Sequence, residues 1–163
     1  MTKMIPVLLA SLSVAGAAIA EGPMVVPLQR LSMDSAVKIA QGTIEACREQ
    51  GIQIAVTVVD REGNVQVTLR DTIAAPITVP ISQKKAFTAV NFNAATSAMS
   101  ERADTPIGRL DGLVMSAGGV PVLVGGSALV AGVGVSGAPD GATDEECALA
   151  GIALIQDDLD MAM

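Results

Sequence analysis

The sequence predicts an α+β domain built on an antiparallel sheet, and three observations carry that prediction. Strand-like and helix-like segments come in runs rather than in strict alternation, which separates this class from a doubly wound sheet. Residues 52–60 and 65–70 are rich in β-branched side chains and flank Arg61-Glu62-Gly63-Asn64, the pattern of a hairpin. Residues 112–139 carry no charge, yet they hold Pro121 and the pairs Gly118-Gly119 and Gly125-Gly126 between short Val/Leu runs. Each interior glycine costs a helix about 1 kcal/mol and proline about 3 kcal/mol. The stretch therefore reads as three strands, residues 113–115, 122–124 and 128–135, turned at the glycine pairs, and not as a membrane helix. Two strands and three make five.

The remaining elements follow in order. Residues 1–20 read as a secretory leader: Lys3 gives the positive start, an uncharged apolar core follows, and Ala18-Ile19-Ala20 is a small-x-small cleavage site. Residues 21–163 then form one domain, one unit more negative than the −7 of the whole chain. Ser32 is the expected N-cap of a first helix carrying Ala36, Val37, Ala40, Ile44 and Cys47 at helical spacing up to Gly51. Residues 72–80, with Pro76 and Pro80, read as a loop. Helices follow over residues 82–92 and 97–103. A last helix starts after Pro139 with Thr143 and Glu146 as a capping box, and Asp157, Asp158 and Asp160 form a frayed, solvated end.

Composition removes whole classes of function. The chain has no His, Trp or Tyr. That excludes His-based triads, His-ligated metals and an imidazole acid–base near neutral pH. An acidic balance with Phe87 and Phe92 as the only aromatics argues against nucleic acid as a partner. No membrane span is expected once the leader is removed. Export leaves two readings of Cys47 and Cys147, a disulfide or two small buried hydrophobes. The glycine-rich run 132–141 lacks a phosphate-loop lysine, and Asp144, Glu145 and Glu146 already occupy the positive end of the following helix. Lys84 and Lys85 read as a solvated helix face. Arg70 and Lys85 are nonetheless the cations nearest the hairpin end and helix start, placed to hold a carboxylate together.

Several motifs in order resemble one family. They are Arg30-Leu31-Ser32, Val59-Asp60-Arg61-Glu62-Gly63-Asn64, Leu69-Arg70-Asp71, Lys85-Ala86-Phe87-Thr88-Ala89 and Thr96-Ser97. Further along come Gly118-Gly119-Val120-Pro121, Gly134-Val135-Ser136-Gly137-Ala138-Pro139 and Asp144-Glu145-Glu146-Cys147-Ala148-Leu149-Ala150-Gly151. The chain thus resembles the GlcG/HbpS family of haem-binding proteins. The resemblance implies a profilin-like three-layer α/β/α fold with a five-stranded antiparallel sheet, homo-oligomers, and a haem or related tetrapyrrole ligand. Taken with the leader, it points to an exported, periplasmic or secreted, non-enzymatic ligand-binding protein whose ligand is a tetrapyrrole or another apolar carboxylate. The ligand-binding set is then Arg70, Lys85, Thr88, Met115 and Ser136. The alternatives are a haem-degrading or other small-molecule enzyme, with Lys85, Asp60 or Asp144 as base, and a structural oligomer without ligand. The sequence departs from the family at residues 75–78, a loop where relatives commonly carry His. Axial candidates for haem reduce to Met99, Met115, Cys47 and Cys147.

Overall fold

A computed structural model describes residues 22–162; the leader at residues 1–20 lies outside the described residues. Helix α1 (Met33–Glu49) begins where the Ser32 hydroxyl accepts a hydrogen bond from Ser35 N at 3.2 Å. Its apolar stripe, Ala36, Ile39, Ala40, Ile44 and Cys47, is buried, as spacing near 3.6 requires. Strands β1 (Ala55–Asp60) and β2 (Val65–Arg70) form the expected hairpin. The Asp60 carboxylate holds its turn by accepting from the backbone N–H groups of Glu62 (3.0 Å) and Asn64 (2.8 Å).

Helix α2 (Thr78–Phe92) starts four residues before the expected Ser82, so residues 78–80 are helical rather than loop. Pro80 falls within the first turn, where a backbone N–H has no intrahelical partner to lose. A 3-10 segment (Thr96–Arg102) replaces the short helix expected at 97–103.

The sheet has four strands and not five. Strands β3 (Gly119–Val124) and β4 (Ala128–Ser136) pair antiparallel, turning through Gly125 and Gly126, whose φ angles of +57° and +70° suit glycine. Residues 113–115, expected to be a strand, run alongside α2 instead. The Val114 N–H donates to the Thr88 hydroxyl at 2.9 Å, so this backbone is satisfied by a helix side chain and not by a strand. Gly118-Gly119 is accordingly no hairpin turn, since Gly119 opens β3. Pro121 is tolerated because β3 lies on the edge.

Strand order is β2-β1-β4-β3, all antiparallel. Helix α3 (Gly141–Ala153) is capped by Asp140, which accepts from Thr143 N at 2.8 Å, so Thr143 is not the cap. The last acidic run is ordered as α4 (Gln156–Met161), where the Asp160 carboxylate accepts from Gly125 N and Gln156 Nε2.

Helices α1 and α3 share one face of the sheet and α2 covers the other, giving three layers. Val56 and Val58 of β1 join Val133 and Val135 of β4 under α1 and α3 in the main core. On the opposite face β4 presents Gly132 and Gly134, so α2 rests almost directly on backbone. A Cβ at Gly134 would collide with the Ser82 carbonyl and the Ala86 N–H. Cys47 and Cys147 join α1 to α3 as a disulfide, with Cα atoms 5.5 Å apart. Among the described residues, no helix is long and apolar enough to cross a membrane.

Candidate functional site

Pairing register places the sequence-nominated residues around α2 and the sheet end beneath it. Arg70, Ala55 and Ser136 stand in one row across β2, β1 and β4. Two residues along, the Thr57 hydroxyl is hydrogen-bonded to Thr68 (3.0 Å) and to Ser82 of α2 (2.9 Å). Strand alternation therefore turns Arg70, Thr68 and Ser136 toward the α2 layer.

Lys85 is not solvated. It is only 4 % exposed, and its ammonium donates to the Asp144 carboxylate (2.8 Å) and to the Val135 carbonyl (2.9 Å). The Asp144 carboxylate also accepts from Ala138 N at 3.0 Å. The pair passes around the end of the sheet and ties α2 to α3. It also dictates Gly118, with φ +116°: a Cβ there would lie 2.7 Å from Lys85 Nζ and 2.8 Å from the Val135 carbonyl. The ammonium is thus held inside the fold, apart from the Arg70 guanidinium that the sequence pairs it with.

Thr88 is buried too, donating to the Lys84 carbonyl (2.7 Å) while accepting from Val114 N. Met115, in the adjoining segment, is buried, as is Ser136. Of the five, only Arg70 is exposed.

A cleft of about 380 Å³ opens between α1 and the edge strand β2, on the face of the sheet opposite to the one toward which the Arg70 side chain turns. Gln41, Ile44, Glu45 and Arg48 line one wall, and their i, i+3, i+4, i+7 spacing puts them on one helix face. Leu69 and Asp71 supply the other. Arg48 Nε and Nη2 donate to Asp71 at 2.7 and 2.9 Å, a bidentate pair, and Nη1 lies 3.6 Å from Glu45. The Arg48 hydrogen bonds, with one from Thr72 N and against the opposing effect of burial, hold the Asp71 carboxyl down at about 2. The same pairing raises the Arg48 guanidinium still further. Arg70 donates to the Ala74 carbonyl and, among the described residues, makes no ion pair. The segment that follows it carries the exposed Ile73 and Ile77.

The sequence reading missed the Arg48–Asp71 pair and the burial of Asp144. The first left one signal, an arginine on the polar side of an amphipathic helix. The second left none, because acidic residues near a helix N-terminus are ordinarily solvated.

A second cleft, of about 290 Å³, opens beside the α1 N-terminus and is lined by Leu31, Val124, Val130 and Leu159. Its cation, Arg30, already contacts Glu62 at 3.0 Å and Asp60 at 3.7 Å. No cluster of metal-ligating side chains occurs among the described residues.

An antiparallel sheet with two helices on one face and one on the other defines a class of small α+β domains, and comparison with known proteins narrows it. A family model described as haem degrading protein HbpS-like matches residues 31–153. The chain belongs to this HbpS-like family. A doubly substituted HbpS from Streptomyces reticuli is similar at 39% identity and TM-score 0.77, over 88% of this chain and 99% of that one. A further HbpS structure matches at 40% identity and TM-score 0.76, over 83% and 97%. A PduOC:haem complex matches at 27% identity and TM-score 0.70, over 76% and 94%. No curated protein matches the chain.

These relatives raise the question of whether an axially ligated haem fits here. Haem iron is held by His, Cys thiolate, Met or Tyr. The sequence has neither His nor Tyr, and both cysteines are engaged in the disulfide. Met99 and Met115 are 4 % and 5 % exposed and line neither cleft. None of the four axial candidates that the sequence nominates is therefore placed to ligate haem iron at either cleft.

Proposed function

We propose that this chain is an exported, non-enzymatic binding protein for a small apolar ligand bearing a carboxylate, a class that includes tetrapyrroles. One observation carries the reading. Arg70 is an exposed guanidinium without an acidic partner among the described residues, on the α2 side of the sheet end, and the segment that follows it carries the exposed Ile73 and Ile77. Exposed apolar side chains beside one charged anchor suit a small apolar carboxylate. The haem-related description of the family and the PduOC:haem complex support a tetrapyrrole as the first ligand to test. Lys85, Thr88, Met115 and Ser136 then act from beneath, holding α2 and the sheet end in place rather than touching ligand.

The disulfide supports export, since such bonds persist in oxidising compartments. The non-enzymatic part is supported by the Lys85–Asp144 pair, whose members are bonded to each other and buried. Homo-oligomeric assembly belongs to the same proposal and is read by light scattering. The test of binding is an absorbance titration of the chain from residue 21 with haemin at micromolar concentration. A Soret shift that saturates, weakened about tenfold by Arg70→Gln, is expected. Absence of any shift in the unsubstituted protein removes the tetrapyrrole.

A further inference from the structure

We infer that residues 22–28 are an exchange arm: this segment of one copy pairs, as an added edge strand, with β2 of a second copy. The inference rests on the homo-oligomeric assembly proposed above and names its contact.

The arm is apolar and uncovered. Met24, Val25, Val26 and Leu28 are all exposed, Val25 at 84 %. Pro23 and Pro27 bias the residues before them, Gly22 and Val26, toward extended backbone. In an extended segment successive N–H groups point to opposite sides. The N–H groups of Met24, Val26 and Leu28 therefore share one side, while Pro23 and Pro27 fall on the other and leave Val25 as its single donor. One side is equipped to pair and the other is blocked, which is the pattern of a strand at the rim of a sheet.

The receiving edge is β2. It is an outer strand with neither proline nor lysine, whereas the other outer strand, β3, carries Pro121. Asp71 N donates to the Ile54 carbonyl and Ala55 stands opposite Arg70, so alternation aims the Leu69 backbone at β1 and the Thr68 and Arg70 backbones outward. Those two residues have the same spacing as Met24 and Val26. An antiparallel register with Val26 opposite Thr68 and Met24 opposite Arg70 satisfies both edges. It puts the Met24 and Val26 side chains on the α2 side of the sheet. The contact uses the Arg70 backbone and leaves its guanidinium for ligand.

A second copy is the occupant because the arm leaves its own domain in the wrong direction. The Leu31 carbonyl accepts from Gln66 Nε2 and Arg30 meets Glu62, which fixes the root of the arm at the hairpin turn. From there Gln29 and Pro27 line a cleft with Arg61, Asn93 and Ser127, across the turn end of the sheet and away from the β2 edge.

The experiment is light scattering on the chain from residue 21 and on two variants, Val26→Pro and Val25→Pro, both in the uncovered arm and outside the folded body. Val26→Pro takes an N–H from the pairing side and is expected to weaken assembly about tenfold or more, read as a lower mass at equal concentration. Val25→Pro takes one from the blocked side and is expected to keep the assembled mass. Equal behaviour of the two variants, whether both keep the mass (as when the arm pairs with its own β2) or both lose it, overturns the inference while assembly stands. Hydrogen exchange reads the receiving strand: the Thr68 and Arg70 amides are expected to exchange about tenfold or more slowly in the unsubstituted chain than in Val26→Pro, and equal rates overturn β2 as the receiver. An unsubstituted chain that is monomeric removes the assembly and the inference together, and leaves the ligand reading standing.

Discussion

Asp71 shows how much depends on one carboxylate. Its carboxyl sits near 2 rather than at its ordinary 3.8, chiefly through the Arg48 hydrogen bonds. A depressed folded-state value means the contribution to stability is complete above the ordinary value and is lost as pH falls through about 2. Calorimetry between about pH 5 and pH 2 should show a steeper fall of Tm for the native chain than for Asp71→Asn. Parallel profiles would contradict the pairing. At the other end of α1, Ser32→Ala removes the N-cap oxygen and should cost about 0.5–2 kcal/mol by denaturant unfolding. Ser32 is legible in the sequence because its hydroxyl acts on backbone three residues away. Arg48 is not legible, because its partner lies 23 residues on, in the loop after an edge strand.

At the scale of elements, α2 is the piece that organises the molecule. It lies over the glycines of β4, receives the Val114 backbone through Thr88, and reaches α3 through Lys85. Removing one member of a buried ion pair strands the other, so Lys85→Met should cost about 3–5 kcal/mol, and adding Asp144→Leu should recover most of it. Equal losses in the single and double variants would show that the pair is not coupled. Gly134→Ala should destabilise by about 1–3 kcal/mol or more, because α2 backbone has no room to yield. The hairpin and the β4 run are plain in the sequence from alternation, turn residues and glycine pairing. The strand expected at 113–115 fails because a Val/Met run beside a helix has the same composition as one in a sheet, and only Thr88 decides between them. The four helical residues before Ser82 were hidden by two prolines, one of which the helix accommodates in its first turn.

Across the whole molecule, three layers are held by a core of Val, Ile and Ala and by the Cys47–Cys147 bond. That bond spans 100 residues, and chain-entropy arguments assign such a closure about 4–5 kcal/mol. Unfolding with and without reductant should differ by that order, with the reduced protein the weaker. The layered architecture was legible because its ordered motifs match a family; the division of labour among the nominated residues was not, since burial separates Arg70 from Lys85, Thr88, Met115 and Ser136. The central claim is that Arg70 and the exposed segment that follows it form the ligand surface. Amide chemical-shift mapping by NMR during titration with metal-free protoporphyrin tests it most directly. The account predicts the largest perturbations at Arg70, Ile73 and Ile77. Perturbations clustered instead around Leu31, Val124 and Val130, at the opposite end of α1, would contradict it.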